Sequence, residues 1–380
     1  MSTLKVNAIR NVTATSDAVT LATDGTCTAN LSNRQGRNLI INGAMQVAQR
    51  GTSSTGTGYY TVDRFALAYN ATASITQAQV DVASGTTPYT LGFRKAFKVT
   101  NGNQGSLGSQ QIMEFKYKVE AQDVASSGWN YTDPNSFITL SFWVKSSVSF
   151  NMKGFFFTQD NSYNYPLETG TLSANTWTKI TKTIPGNSNL VFNNDNGVGI
   201  VISLGVYGPF FSSANPSVNQ WGAYSSATLT NPSETTWWTT NGATLEFTGV
   251  QLEVSDHATS FEHKSYAQEL DLCRRYCQVY KSVGNYSRFA TTIAQSSSSI
   301  RSIFYLKKQL RAVPTFSYSG NFQCANATNF NIANMGLESS STSLDVVVLN
   351  QGGMSVTAQS AFFLAGNNDT SAQITFDSEL

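Results

Sequence analysis

Only two histidines, His257 and His263, occur in this 380-residue chain, and both fall within one stretch, residues 249–280, GVQLEVSDHATSFEHKSYAQELDLCRRYCQVY. Nucleophilic catalysis needs a base beside a serine or cysteine, but a serine-rich chain always offers a serine near a histidine. No G-x-S-x-G elbow or H-E-x-x-H helix supports such a reading. Hydrogen bonding at a domain exit is the expected role of both imidazoles. Four acids in or near loops, Asp160, Asp195, Glu168 and Glu234, raise the question of glycoside cleavage. That chemistry requires two carboxylates in fixed relation, and nothing in the sequence pairs them. Cys27, Cys273, Cys277 and Cys324 form no C-x-x-C pair and have no histidine cluster beside them, so neither a disulfide scaffold nor a zinc site is expected. The oxygen-rich run 193–197, NNDNG, makes Asp195 a weak calcium candidate, but its charge is low for a tight site and an Asx turn is the simpler expectation. The chain is therefore expected to be no enzyme and to carry no cofactor.

Saccharide binding fits the residue types better. Sugars offer apolar CH faces to aromatic rings, while their hydroxyls need fixed amide and carboxylate partners. Four aromatic pairs lie between predicted strands among Asn, Gln, Asp and Ser: Trp129 with Tyr131, Tyr163 with Tyr165, Trp221 with Tyr224, and the tandem Trp237–Trp238, the leading candidates. The alternative for each pair is packing inside the domain or between subunits. Trp143 and Trp177 fall within predicted strands and are assigned to the core.

The elements that must position these residues are short strands. Charged residues make up 12% of the chain, about half the usual share, and Gly, Ser, Thr and Asn, which disfavour long helices, take their place. Aromatics also reach 12%, so disorder is excluded. A net charge of +1 with only the short basic runs Arg274–Arg275 and Lys307–Lys308 argues against nucleic acid as a partner. No apolar run is long enough to span a bilayer, and the N-terminus has no secretory h-region, so a membrane is not an expected partner and the chain is expected to be made and kept in a cytoplasm, or released by lysis.

Along the chain, residues 1–36 carry short alternating pieces, Leu4-Lys5-Val6 and Val19-Thr20-Leu21, too small to bury a core unless several chains intertwine. Residues 37–262 read as one large β domain. It opens on a strand at Leu39-Ile40-Ile41 and continues through SFITLSFWVKSS (136–147), KITKTI (179–184), residues 199–206 and residues 245–250. Many short strands separated by Gly, Asn and Pro loops point to a two-sheet jelly roll. A helix is predicted over 263–283, with Ser265 and Gln268 as a capping box. Tyr266, Leu270, Cys273, Cys277 and Tyr280 step by four and three, as in a heptad seam that could pack on its own domain or meet symmetry mates. Residues 284–380 form a further β region, with strands at 301–306, 313–318, 345–349 and 374–376.

Five groups of residues, in order along nearly the whole chain, resemble phage tail-fibre and related virion-fibre proteins of podovirus and marine-phage type. They are STLKVNAI followed by VTLATDGT; NLIINGAMQVAQRG with Tyr60-Thr61-Val62-Asp63-Arg64-Phe65; SFITLSFWVKSS followed by NTWTKITKTIPG; GVQLEV followed by SFEHKSYAQELDLCRRYCQVY; and Val313-Pro314-Thr315 with the terminal Phe376-Asp377-Ser378-Glu379-Leu380. The resemblance implies a mainly β protein with a carbohydrate-binding-like jelly roll, a connecting helix and a C-terminal β domain. It implies a homotrimer carried on a virion, contacting other virion proteins through its N-terminal segment and a host-surface glycan through its jelly roll.

Overall fold

The computed structural model describes residues 6–13, 17–25, 27–29, 36–106, 108–208, 216–232, 234–325, 330–352 and 355–380. The chain is mainly β, as its composition requires. Leu4 and Lys5 of the first predicted piece lie outside the described residues.

At the N-terminus, Ala8–Ile9, Val19–Leu21 and Cys27–Ala29 form a small antiparallel sheet. Ile9 and Val12 are exposed. Among the described residues, none of this sheet joins a hydrophobic core.

The large β domain is a sandwich of two six-stranded antiparallel sheets. The front sheet runs, edge to edge, Gly222–Ala223, Tyr163–Leu172, Phe150–Thr158, Val198–Tyr207, Ile112–Glu120 and Phe65–Asn70. The back sheet runs Thr178–Pro185, Phe137–Ser146, Thr244–Val254, Lys95–Thr100, Thr76–Asp81 and Ser53–Ser54. Alternation places Ile138, Leu140, Phe142 and Val144 of one back strand in the core, opposite Met113, Phe115, Tyr117 and Val119 of a front strand. Phe115 stacks on Phe65 and Phe247 at 5.2 and 4.4 Å. The strand Thr244–Val254 carries a register shift between Thr248 and Gln251. Gly249 sits there at φ +63°, where an added Cβ would lie 2.6 Å from the Phe93 ring.

The predicted opening strand at Leu39-Ile40-Ile41 is irregular coil instead. The chain entering it is held by a distant side chain: the Glu262 carboxylate accepts from the N–H groups of Gly36, Arg37 and Asn38 at 2.7, 3.0 and 2.8 Å. The Tyr117 hydroxyl accepts from Ile41 N–H at 2.8 Å. Leu39 N–H donates to Leu252 O of the back sheet at 2.9 Å and Ile40 N–H to Asn38 Oδ1 at 3.0 Å, so the segment makes a single backbone bond to that strand rather than a ladder.

The connecting helix is Tyr266–Cys273, shorter than the predicted 263–283. Its capping box is formed, with Ser265 Oγ accepting from Gln268 N–H and Gln268 Oε1 accepting from Ser265 N–H. The heptad seam does not exist as a helix face. Cys277 and Tyr280 lie in the strand Cys277–Lys281, which pairs with Gln373–Asp377. The Gln278 side chain holds that strand to Arg274 O, Lys308 O and Lys307 N–H. Cys273 and Cys277 are fully buried, Leu270 is half-buried and Tyr266 is exposed. Burial pushes the Cys273 and Cys277 thiols well above the usual range.

The C-terminal region holds a three-stranded sheet, Cys277–Lys281, Gln373–Asp377 and Thr315–Ser319, and a seven-stranded sheet in which Arg288–Ala294 lies between Ala361–Gly366 and Ser299–Tyr305. A buried polar joint ties it to the sandwich. Arg64 pairs with Glu379 and lies over the Tyr276 ring, 3.4 Å from its centroid. Arg275 donates to both oxygens of Glu120 at 2.8 and 2.9 Å. At the exposed margin of this joint, Lys308 pairs with Asp271 of the connecting helix. Part of each predicted basic run is thus an internal ion pair.

Candidate functional site

The structure divides the eight aromatic candidates sharply. Trp237 and Trp238 belong to a short helix, Thr236–Thr239, and both are 0% exposed. They plug one end of the sandwich, packing on Tyr207 at 5.4 and 5.8 Å. Asn101 Nδ2 donates to the carbonyls of Trp237, Trp238 and Thr240, closing the helix end. They are core residues, contrary to the expectation of an exposed binding loop. Trp129 and Tyr165 are also buried, and Tyr131 and Tyr163 pack half-buried against the same core. Trp221 covers Tyr165 at the open edge of the front sheet, with its indole N–H donating to Pro185 O of the back sheet at 2.7 Å. It closes the gap between the sheets. Trp143 and Trp177 are half-buried and pack on a small cluster around Phe93 rather than in the main core.

Tyr224 differs. It follows the edge strand Gly222–Ala223, its N–H donates to Ser162 O at 2.8 Å, and its ring rests on Phe157 at 4.9 Å. It is 45% exposed. Alternation along Phe150–Thr158 turns Phe155 and Phe157 to the outer face of the front sheet, away from the core side chains Met152 and Phe156. Residues 216–232 lie across part of this face: Leu229 packs on Phe155 and Val206, and Asn164 Nδ2 donates to Thr228 O. Beyond Tyr224, the turn 159–162 is bound to the loop 187–193. Asp160 accepts from Asn193 N–H and Nδ2 at 2.9 Å each, and Asn161 Nδ2 donates to Asn189 O. An aromatic ring supported on Phe157 and 45% exposed thus follows an edge strand whose neighbouring turn is fixed by amide and carboxylate hydrogen bonds.

On the same face the structure brings two of the four acids together. Asn151 donates from its backbone N–H to Glu234 at 3.2 Å and from Nδ2 to Glu168 at 2.7 Å. Burial alone would raise the Glu168 pKa. Hydrogen bonds from Asn231, Lys153 and Asn151, with the Lys153 charge, outweigh it and hold the carboxyl below its ordinary value. Glu168 is therefore ionised and unsuited to donate a proton. Asp195 makes an Asx turn, accepting from Gly197 N–H at 2.9 Å. Among the described residues no group of three or more His, Cys, Asp or Glu is placed to hold a metal ion.

Ser255 Oγ and Asp256 Oδ1 both approach the same His257 nitrogen, Nδ1, at 3.4 and 2.5 Å, whereas a triad uses opposite ring nitrogens. His263 Nε2 meets Leu91 O at 2.9 Å, its ring packed on Phe93 and Phe261.

No protein-family model and no curated protein matches this sequence. Among solved structures, the chain is similar to the enzymatically active domain of tailspike protein 4 of bacteriophage CBA120, with TM-score 0.31 and 10% identity over 57% of this chain and 21% of that one. It is similar to a putative sugar binding protein from Bacteroides thetaiotaomicron, with TM-score 0.30 and 11% identity over 58% of this chain and 100% of that one. A xylan-binding domain from Paenibacillus barcinonensis gives TM-score 0.26 and 9% identity over 50% of this chain and 87% of that one. The chain spans about a fifth of the tailspike's length. At this level of agreement, the site is read from its own residues.

Proposed function

We propose that this chain is a homotrimeric, non-enzymatic virion fibre protein that attaches a phage particle to host-surface glycan. The observation that carries the reading is the half-exposed Tyr224 ring, supported on Phe157 at the outer face of the front sheet and tied by its backbone N–H to Ser162 O of the 159–162 turn. A sugar ring would stack on Tyr224 with its hydroxyls toward the polar residues of that turn. Three such weak sites per trimer, repeated around a particle, gain strength through effective concentration. The N-terminal strands, which join no core among the described residues, suit assembly with the other chains of a trimer and with neighbouring virion proteins. Replacing Tyr224 with Ala should weaken adsorption to host-surface polysaccharide roughly tenfold. Unchanged adsorption would remove this surface from the account.

One observation favours glycan cleavage instead, namely the convergence of Glu168 and Glu234 on Asn151. With Glu168 held ionised, Glu234 would have to be the proton donor.

A further inference from the structure

A cleft of about 420 Å³ opens where the sandwich meets the C-terminal three-stranded sheet, a volume in the range of small-molecule sites and at the kind of junction where they concentrate. Its C-terminal wall follows from strand alternation. Along Gln373–Asp377, Ile374 and Phe376 are fully buried in the core, so Gln373, Thr375 and Asp377 face the other way. Ser317 stands directly opposite Thr375 on the neighbouring strand. The result is a ladder of hydroxyl, amide and carboxylate groups. The sandwich supplies the other wall, with Ser54 and Tyr60.

Tyr60 is held in a particular way. A Cβ on Gly56 would lie 2.7–2.8 Å from three carbons of the Tyr60 ring, so only glycine lets the ring lie flat there. Tyr60 nonetheless remains 49% exposed. It is a supported ring with an open side next to a polar ladder, the same combination that defines the Tyr224 surface, here inside a concave site.

The charges at this junction are already matched within the chain. Arg50 Nη2 binds Asp377 at 2.7 Å and Glu379 at 3.3 Å, and Asp63 lies 3.8 Å from Arg50 Nη1. An added carboxylate would meet Asp377 and Glu379 with no uncommitted cation in the lining. The other polar groups of the wall, Ser54, Ser317, Gln373 and Thr375, are neutral. They can exchange hydrogen bonds with hydroxyls in both directions, which a neutral sugar supplies and an apolar ligand does not.

We infer that this cleft is a second saccharide site, selective for neutral sugars, with Tyr60 as the stacking ring and the Gln373–Thr375–Ser317 ladder as the hydroxyl partner. The inference rests on the glycan-binding reading above and adds a site and a ligand class to it. Because its walls come from residues separated by about the whole length of the chain, the site exists only when the sandwich and the C-terminal sheet are docked.

The test uses the full chain and saturation-transfer NMR with maltose, cellobiose, lactose and chitobiose as neutral probes and digalacturonate as a charged one. Tyr60→Ala removes the ring and Ser317→Trp fills the cleft from an exposed position, so both variants should fold. At least one neutral disaccharide is expected to bind, with affinity lowered roughly tenfold by each cleft variant. Binding retained in both cleft variants but lost with Tyr224→Ala would overturn the cleft and leave the glycan reading standing. So would polysaccharide binding without any disaccharide binding. Digalacturonate binding abolished by the cleft variants would overturn the neutral class. If neither disaccharide nor polysaccharide binds the wild-type chain, both readings fall.

Discussion

Arg64 and Glu379 form an ion pair whose side chains are 1% and 4% exposed, joining the turn that leads into the front-sheet strand Phe65–Asn70 to residues near position 380. Arg64 Nη2 also donates to Lys118 O at 2.8 Å, and its guanidinium is sandwiched toward the Tyr117 and Tyr276 rings at 5.2 and 3.4 Å. The pair explains how a sandwich and a C-terminal sheet can behave as one body. Removing one partner strands the other charge in a buried site. Glu379→Ala is expected to lower unfolding free energy by about 3–5 kcal/mol, measured by urea denaturation. A loss within about 0.5 kcal/mol, the usual range for a surface position, would show that the joint is solvated and loose.

Asp63, beside the same joint, gives a pH signature. Burial raises its pKa to about 6, against the lowering effect of the Arg50 charge and of hydrogen bonds from Gln49. The folded state therefore holds this proton more tightly than the unfolded chain, whose aspartate titrates near 4. The stabilisation from protonated Asp63 is complete below about pH 4 and is lost as pH rises toward about 6. Asp63→Asn should gain stability relative to wild type over that window, read as a difference between denaturation curves at successive pH values. A difference that is flat between about pH 4 and 6 would contradict this assignment.

Trp237 and Trp238 are predicted to matter for stability and not for glycan contact. Each is wholly buried against Tyr207 and the sandwich core. Replacing either with Ala should cost about 3–5 kcal/mol. Saccharide affinity, measured where the variant is still folded, should not change. A variant with native stability and lost affinity would restore the pair as a binding loop.

Much of the sandwich was legible because its strands alternate cleanly. Residues 137–146 put Ile138, Leu140, Phe142 and Val144 inward at period two, and no long-range partner is needed to see that. The failures share a cause. Leu39-Ile40-Ile41 is apolar and β-prone, but its N–H groups go to three unrelated acceptors, Leu252 O, Asn38 Oδ1 and the Tyr117 hydroxyl, two of them far away in sequence. Tyr266 to Tyr280 has helical spacing, but past Cys273 the chain pairs with Gln373–Asp377 about a hundred residues later. The tandem tryptophans sit in a Thr- and Asn-rich stretch that reads as loop until Asn101 is seen to close their short helix. Tyr224 was named from its neighbours' polarity, whereas Tyr60 was not. The available signal was the glycine-rich turn before Tyr60 and the charged pair Asp63–Arg64 between Val62 and Phe65, in a chain where charge is scarce.

Assembly is the next expectation. The N-terminal sheet exposes Ile9 (57%) and, in the turn that follows it, Val12 (97%), and contributes to no core among the described residues, as segments do when other copies are needed to cover them. Light scattering on the folded protein should give the mass of three chains. A stable monomer with native spectra would rule the trimer out.

Glycan binding without cleavage at the outer face of the front sheet is the central proposal. Its most direct test is calorimetric titration of the folded protein with host-surface polysaccharide, followed by a reducing-end assay on the same sample. The predicted result is saturable binding, weakened roughly tenfold by Tyr224→Ala, with no new reducing ends. The contradicting result is no binding at all, or the release of reducing ends that Glu234→Gln abolishes.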